Sequence, residues 1–261
     1  MSRATQAELL EQRIIENRSS QQIDLTEWIF ERVSMRPGDR VLELCCGTGG
    51  QTLALLNRVG EHGRVVAFDI SRAALDTLTS KAGSMNNRLT CVEGSLDNFV
   101  ATLSQARLCD EGFDAIFCAY GLYYSSDAQH TLEEALHLLN SDGKVVIVGP
   151  FGPNNKQIFE LLRAAGVVIS APVTFSSESF MLQTVLPWGT RNFASLSVHT
   201  MVNPVHWTTS ERVLNYWQNT TFYDPEKRDG FEKLVQDHFA STPVFVNEKW
   251  VMLLEMKHAR R

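Results

Sequence analysis

Short apolar runs and longer amphipathic stretches take turns along the first two thirds of this chain. Apolar runs at residues 41–45, 64–68, 88–92, 114–119 and 144–149 are the length of strands and rich in β-branched or aromatic residues. Between them the spacing is helical: the stretch after the first run sets Leu53, Leu56 and Val59 on one side, and residues 128–139 set Leu132, Ala135, Leu136 and Leu139 together. Strand and helix in alternation predict a parallel sheet with helices on both faces. Two more helices are expected ahead of it, over 7–18 and 25–33, from Leu10, Ile14, Leu25, Trp28, Ile29 and Val33. Asp24 with Glu27 forms a capping box for the second. The turn Arg36-Pro37-Gly38-Asp39 then delivers the chain into the first strand, so the core starts near Pro37.

Past the fifth run the pattern changes. Pro150-Phe151-Gly152-Pro153-Asn154-Asn155 breaks the chain, and the two asparagines suit the cap of a helix ending near Ala165, with Gly166 as its stop. Residues 170–207 mix Ser, Thr, aromatic and aliphatic residues with weak periodicity, and Phe193–Val202 reads as a strand. Thr208 with Glu211 resembles a capping box, and Asp224-Pro225 is an N-cap and first-turn pair for a helix to Phe239. A last strand over Val244–Glu255 would bury Val246, Trp250, Met252 and Leu254. The expected organisation is an N-terminal helical cap (1–36), a ligand-binding core (37–166), and an end of the sheet carrying an inserted cap (167–261).

Composition narrows the class. A chain of 261 residues with 44% hydrophobic residues has ample material for a large core. A formal charge of −6 gives no general electrostatic footprint for nucleic acid, which favours a small-molecule partner. No apolar run is long enough to span a bilayer and no basic-then-apolar leader opens the chain, so the cytoplasm is the expected location and no membrane partner is expected. The five cysteines, at 45, 46, 91, 109 and 118, show no Cys-x-x-Cys clip and read as structural thiols, with thiol chemistry such as arsenic methylation as the alternative. No metal site is expected.

The chemistry concentrates at Val41-Leu42-Glu43-Leu44-Cys45-Cys46-Gly47-Thr48-Gly49-Gly50, a strand that runs into a glycine turn and then a helix. Glycines there permit dihedrals and close approaches that a Cβ would block, leaving main-chain amides open to a nucleotide-like ligand. Val65-Val66-Ala67-Phe68-Asp69 ends in a carboxylate roughly 20 residues beyond Gly49, the spacing at which an acid meets ribose hydroxyls. The third glycine of the dinucleotide fingerprint would fall at Thr52, so a pyrophosphate-cradling loop is not matched.

This ordered set resembles the class I S-adenosylmethionine-dependent methyltransferases over residues 37–151. It includes the acid and Gly-x-Gly loop of Glu43 to Gly49, the acid-ended second strand, a third strand ending near Glu93-Gly94-Ser95, and a fourth opening at Phe113-Asp114. The resemblance implies a Rossmann-like, doubly wound α/β fold with a mostly parallel seven-stranded sheet, N-terminal helices and a C-terminal helical cap. It implies S-adenosylmethionine as methyl donor, S-adenosylhomocysteine as product and a small-molecule acceptor. The cofactor-binding residues it implies are Glu43, Cys45, Gly47, Thr48, Gly49, Gln51, Asp69, Ile70, Ser95, Leu96 and Ala119. Glu43 would hold the methionine ammonium, Asp69 the ribose hydroxyls, and Ile70 one face of adenine.

Many relatives carry an acid where this chain has Ser95, so Ser95, Asp97 or the Leu96 backbone would have to recognise adenine. Cys118-Ala119-Tyr120 has no acid either, which argues against the metal-dependent catechol type. Tyr120, Tyr123 and His206 are the candidate catalytic residues. His199, His206, Trp207, Tyr216, Trp217 and Tyr223 form either an aromatic lid over the acceptor or a cap that packs on itself. A catalytically inactive cofactor-binding partner protein remains the second reading, and a homodimer is left open.

Overall fold

A computed structural model describes residues 8, 12, 15, 16 and 19–260. Most of the expected helix over 7–18, including Leu10, Ile14, Asn17 and Arg18, therefore lies outside the described residues. Among those described, seven strands form one sheet: β1 (Arg40–Leu44), β2 (Arg64–Asp69), β3 (Leu89–Glu93), β4 (Phe113–Ala119), β5 (Leu139–Pro150), β6 (Phe193–Trp207) and β7 (Phe245–Ala259). Their order is β3-β2-β1-β4-β5-β7-β6, and the pairings among β1 to β5 are parallel. This is the expected Rossmann-like, mostly parallel α/β sheet.

The order fixes where a ligand can sit. From β1 the chain moves outward to β2 and β3, then returns to lay β4 against the other side of β1. Connections diverge at that reversal, so a crevice opens at the carboxyl ends of β1 and β4. Burial explains the strands' composition: Val41, Leu42, Val65, Ala115, Ile116, Phe117, Val145 and Val146 are fully enclosed, as a sheet covered on both faces requires.

The helices that accompany these strands include α1 (Leu25–Phe30), α2 (Thr52–Val59), α3 (Arg72–Ala82), α4 (Phe99–Gln105) and α5 (Ala128–His137). Helix α1 is shorter than the expected 25–33, although Val33 is still buried. In α2 the buried stripe is Thr52, Leu55, Leu56 and Val59, and Leu53 is only half-buried. The helical phase is set by a buried threonine at its first position, which a purely apolar pattern misses.

Farther along lie α6 (Lys156–Ala164), α7 (Ala171–Thr174), α8 (Leu186–Asn192), α9 (Ser210–Gln218) and α10 (Arg228–Ser241). The stretch between α7 and α8 is also helical, in two wide π turns over 175–179 and 181–185, a region whose sequence shows no clear period. Pro172 and Pro187 sit in the first turns of α7 and α8, where a missing N–H costs nothing. Asp224 caps a short 3-10 turn, Pro225–Lys227, and α10 begins only after it. Strand β6 runs five residues past the expected end, through Pro204, because it is the outermost strand and one of its flanks has no ladder to complete. In β7 Met252 and Leu254 are buried as expected, but Val246 is exposed and Phe245 and Asn247 face inward instead.

The chain divides into two compact units. One comprises residues 25–149, 181–199 and 252–261, with its core on β1, β2, β4 and β5. Within it Lys144 is held by the Ser34 carbonyl and by Glu255 at 3.5 Å, and Lys257 reaches the other oxygen of Glu255 at 2.8 Å. Burial pushes the Lys144 ammonium below its ordinary value.

The other unit comprises residues 1–24, 150–180 and 200–251 and has its own core around Ile158, Phe159, Trp207, Tyr216, Trp217 and Phe231. Trp207 packs at a tilt against Tyr216, 4.9 Å between centroids, and Trp217 meets Tyr223 at 4.8 Å and Phe231 at 4.6 Å. Trp207, Tyr216 and Trp217 are almost wholly buried, so of the two readings of this aromatic group the self-packed cap is the one observed. Asn155, in the left-handed region, accepts from Asn247 at 2.9 Å and Lys249 at 2.5 Å, and Lys249 also donates to the Tyr216 hydroxyl.

Candidate functional site

The site is assembled from the carboxyl ends of β1, β2, β3 and β4. Register places Leu44 opposite both Phe68 and Cys118, and Asp69 opposite Glu93. Strand β1 gives way to a loop in which Cys45, Gly47 and Gly49 all adopt positive φ, at 58°, 53° and 86°. The loop is pinned from both sides. Cys46 N–H donates to the Phe68 carbonyl at 3.1 Å, and Gly47 N–H donates to Asp69 Oδ2 at 2.8 Å.

Asp69 also accepts from the Ser71 N–H through Oδ1 at 2.9 Å. One backbone bond on each oxygen leaves each with capacity to accept again, so the carboxylate organises the loop and keeps free lone pairs. Ile70, next to it, is half exposed at 54%. Ser71 caps α3, accepting from Ala74 N–H at 3.3 Å.

Gly49 has a further reason to be glycine beyond the one expected. A Cβ there would run into the Leu78 side chain of α3, so helix packing and its positive φ both call for glycine. Gly121 repeats the theme, since Cys45 occupies the space its Cβ would fill.

Glu43 is the electrostatic centre of the group. It is 2% exposed, and its Oε2 makes no hydrogen bond within the protein. Burial raises its pKa to about 8; the Thr52 hydroxyl opposes the rise and the charge of Asp69 adds to it. Thr52 Oγ1 lies toward Glu43 as that opposing influence, yet neither it nor Oε2 completes a hydrogen bond. A buried carboxylate oxygen without a donor is costly unless a ligand supplies one. Helix α2 has no side-chain N-cap: Gln51 instead reaches Thr26 at 3.5 Å, and the Leu53 N–H donates to the Gly49 carbonyl at 3.3 Å. Thr48 is buried in the same loop.

At the end of β4, Ala119 is half-buried and Tyr120 takes a positive φ of 58° while its N–H donates to the Val148 carbonyl. Strain at a non-glycine residue in a strand-end crevice is a mark of a functional position. Tyr123 and Tyr124 follow in a 3-10 turn, their rings 4.8 Å apart, with Tyr124 largely exposed. Ser95 accepts from Asp97 N–H and Leu96 is buried beneath that turn. His206 lies on β6 in the other unit, its N–H donating to the Ser20 carbonyl at 2.9 Å.

Two residues escaped the sequence reading: Thr52, inconspicuous because it replaces an apolar residue in a helix stripe, and Ser71, detectable only as the N-cap after an acid-ended strand. The thiols behave as packing groups. Hydrogen bonding to Cys118 and burial push Cys45 well above the ordinary thiol range, burial does the same for Cys46 and more mildly for Cys91, and protonated thiols of this kind are poor nucleophiles. Among the described residues no group of three or more His, Cys, Asp or Glu could hold a metal ion, and no helix is long and apolar enough to cross a membrane.

The reversal of a parallel sheet, with a buried acid, a glycine loop and a strand-end aspartate beside it, is the position at which open α/β sheets take their ligands. Residues 41–143 match the family described as methyltransferase domain. Through this segment the chain is similar to the class I S-adenosylmethionine-dependent methyltransferases.

It is 32% identical over 128 residues to a demethylmenaquinone methyltransferase of Lactobacillus johnsonii, covering 48% of this chain and 50% of that protein. It is 34% identical over 133 residues to a 2-phytyl-1,4-naphtoquinone methyltransferase of Nostoc sp., covering 50% and 55%. The matched region spans about half the length of these relatives. The fold also matches the crystal structure of a putative methyltransferase from Bacillus halodurans, with a TM-score of 0.60 at 13% identity over 90% of this chain and 99% of that one.

Proposed function

We propose that this chain transfers a methyl group from S-adenosylmethionine to a small-molecule acceptor. When bound, S-adenosylmethionine supplies an electrophilic methyl on a sulfonium centre. The residues fit such a group. Glu43 Oε2 lacks a donor and would accept from the amino acid's ammonium, and Asp69 has free lone pairs for the ribose diol. Ile70 and the turn at Ser95 and Leu96 flank the place for adenine.

On the acceptor side, Ala119, Tyr120 and Tyr123 line the end of β4, and their part is to hold the acceptor nucleophile in line and exclude water. In a displacement that releases a neutral thioether, positioning and dryness can supply most of the rate, and a proton acceptor is needed only when the nucleophile arrives protonated.

The observation that carries the reading is the buried carboxyl of Glu43, its Oε2 without a donor, beside the Asp69-pinned glycine loop in a segment that matches a methyltransferase domain. Calorimetric titration with S-adenosylmethionine, S-adenosylhomocysteine and NAD in parallel tests it. Dissociation constants of about micromolar size for the first two, and no heat with the third, are expected. Heat with NAD alone, or with none, refutes it. Transfer of a labelled methyl to any member of a panel of phenols, quinols, amines and carboxylates then separates an enzyme from a cofactor-binding protein without turnover.

A further inference from the structure

Strands β3 and β4 are not neighbours, because β2 and β1 lie between them. Three strand spacings separate their ends by roughly 14 Å. The loops that leave them are nevertheless tied together. Asp97 Oδ1, in the turn after β3, accepts from Ser125 Oγ at 3.0 Å and from Ser126 N–H at 2.8 Å, both in the segment after β4. To meet, the two loops must reach across the width of β2 and β1, the strands that supply Asp69 and the glycine loop.

Each end of the tie is itself braced. Asp97 N–H donates to Ser95 Oγ at 3.3 Å, so the carboxylate belongs to the same short turn as Ser95 and Leu96. At the other end Ser125 Oγ lies 2.8 Å from the Thr131 hydroxyl and accepts from Asp127 N–H at 3.2 Å, and Asp127 caps α5 through His130 N–H. Tyr123 and Tyr124 immediately precede Ser125. The Ser126 N–H and the Ser125 hydroxyl hold the Asp97 carboxyl below the usual range, so the tie is ionised, and a carboxylate accepting two hydrogen bonds is stronger than a neutral pair. Asp97 is exposed, and nothing about core packing requires an acid at this position.

We propose that Asp97, with Ser125 and Ser126, is a latch that couples the cofactor crevice to the tyrosine-bearing segment, so that a cofactor held by the turn at Ser95 and Leu96 tightens the acceptor side. This deepens the proposed function and rests on it: adenine ordering the turn at Ser95 and Leu96 fixes Asp97, and Asp97 in turn fixes Ser125 and the tyrosines before it. Asp97 is thereby a positioning residue that works through its neighbours, and the one ligand needed to test it is the demethylated product.

Hydrogen exchange read by mass spectrometry across residues 121–127, with and without saturating S-adenosylhomocysteine, decides the matter. With each variant shown by calorimetry to be saturated with S-adenosylhomocysteine, binding should slow exchange there by about tenfold in the wild type and by less than about twofold in Asp97→Ala, while Asp97→Asn, which keeps an acceptor oxygen, should recover most of the effect. Ser125→Ala provides an independent reading should Asp97→Ala fold poorly by circular dichroism, and is expected to lose part of the slowing. Slowing that persists in both alanine variants, or that is missing in the wild type although the ligand binds, overturns the latch and leaves the transferase reading standing. Absence of binding to the wild type overturns both.

Discussion

Glu43 is the residue whose behaviour most sharply separates this site from a merely structural one. Its carboxyl is raised to about 8 from an ordinary 4.5, so between those values the folded chain keeps a proton that the unfolded chain has released. Stability is then full below about pH 4.5 and declines as pH rises toward 8, at about 1.4 kcal/mol per pH unit and about 5 kcal/mol at most. Glu43→Gln should flatten that decline and be the more stable protein at pH 8 in urea titrations, while binding S-adenosylhomocysteine at least about 100-fold more weakly. An ammonium placed against the carboxylate favours its charged form, so wild-type binding at pH 7 should release a proton. Calorimetry in Tris and in phosphate, which differ in ionisation enthalpy, will show this as a buffer-dependent heat; equal heats would mean that Glu43 stays protonated in the complex. Asp69→Ala removes the acceptor of Gly47 and Ser71 together, and is expected to weaken cofactor binding by about two orders of magnitude and stability by about 1–3 kcal/mol.

Among the elements, the glycine loop and α3 form one packed unit, and this changes what a substitution in the loop reports. Gly49→Val would be a simple test of ligand approach if the space over Gly49 were empty, but Leu78 fills it and φ is 86°. Gly49→Ala should therefore cost about 2–4 kcal/mol in unfolding free energy from strain and overpacking, and pairing it with Leu78→Ala should return only the packing part. The sheet was legible in the sequence because fully buried parallel strands announce themselves as apolar runs, and the acids and glycines at the ends of β1 and β2 follow from those runs. Thr52 was hidden because its inward position reads as a gap in a hydrophobic stripe. The helical stretch between α7 and α8 was hidden because π turns shift the period on which amphipathic recognition depends. The Asp97 tie could not be read at all, since it joins residues 28 and 29 positions apart whose meeting is decided by strand order.

A second core, rich in aromatic residues, is built around Trp217, while the ionisable groups of the candidate site stand at the strand ends. Trp217→Ala should lower unfolding free energy by about 3–5 kcal/mol, measured by urea denaturation followed through tryptophan fluorescence, which is the cost of emptying a fully enclosed indole site. At the outer margin of the sheet, β6 is flanked at one end by residues 20–23. Gln21 bridges to Val205, His206 N–H reaches Ser20, and the Asn203 side chain both donates to the Ile23 carbonyl and accepts from its N–H. An amide side chain thus imitates one rung of a ladder and ends it, and Pro204 beside it offers no N–H for another. The consequence is colloidal: this stretch of the margin cannot template the addition of a further chain, so concentrated protein is shielded there from fibrillar growth, and exchanging Asn203 and Pro204 for valines would hand that protection back.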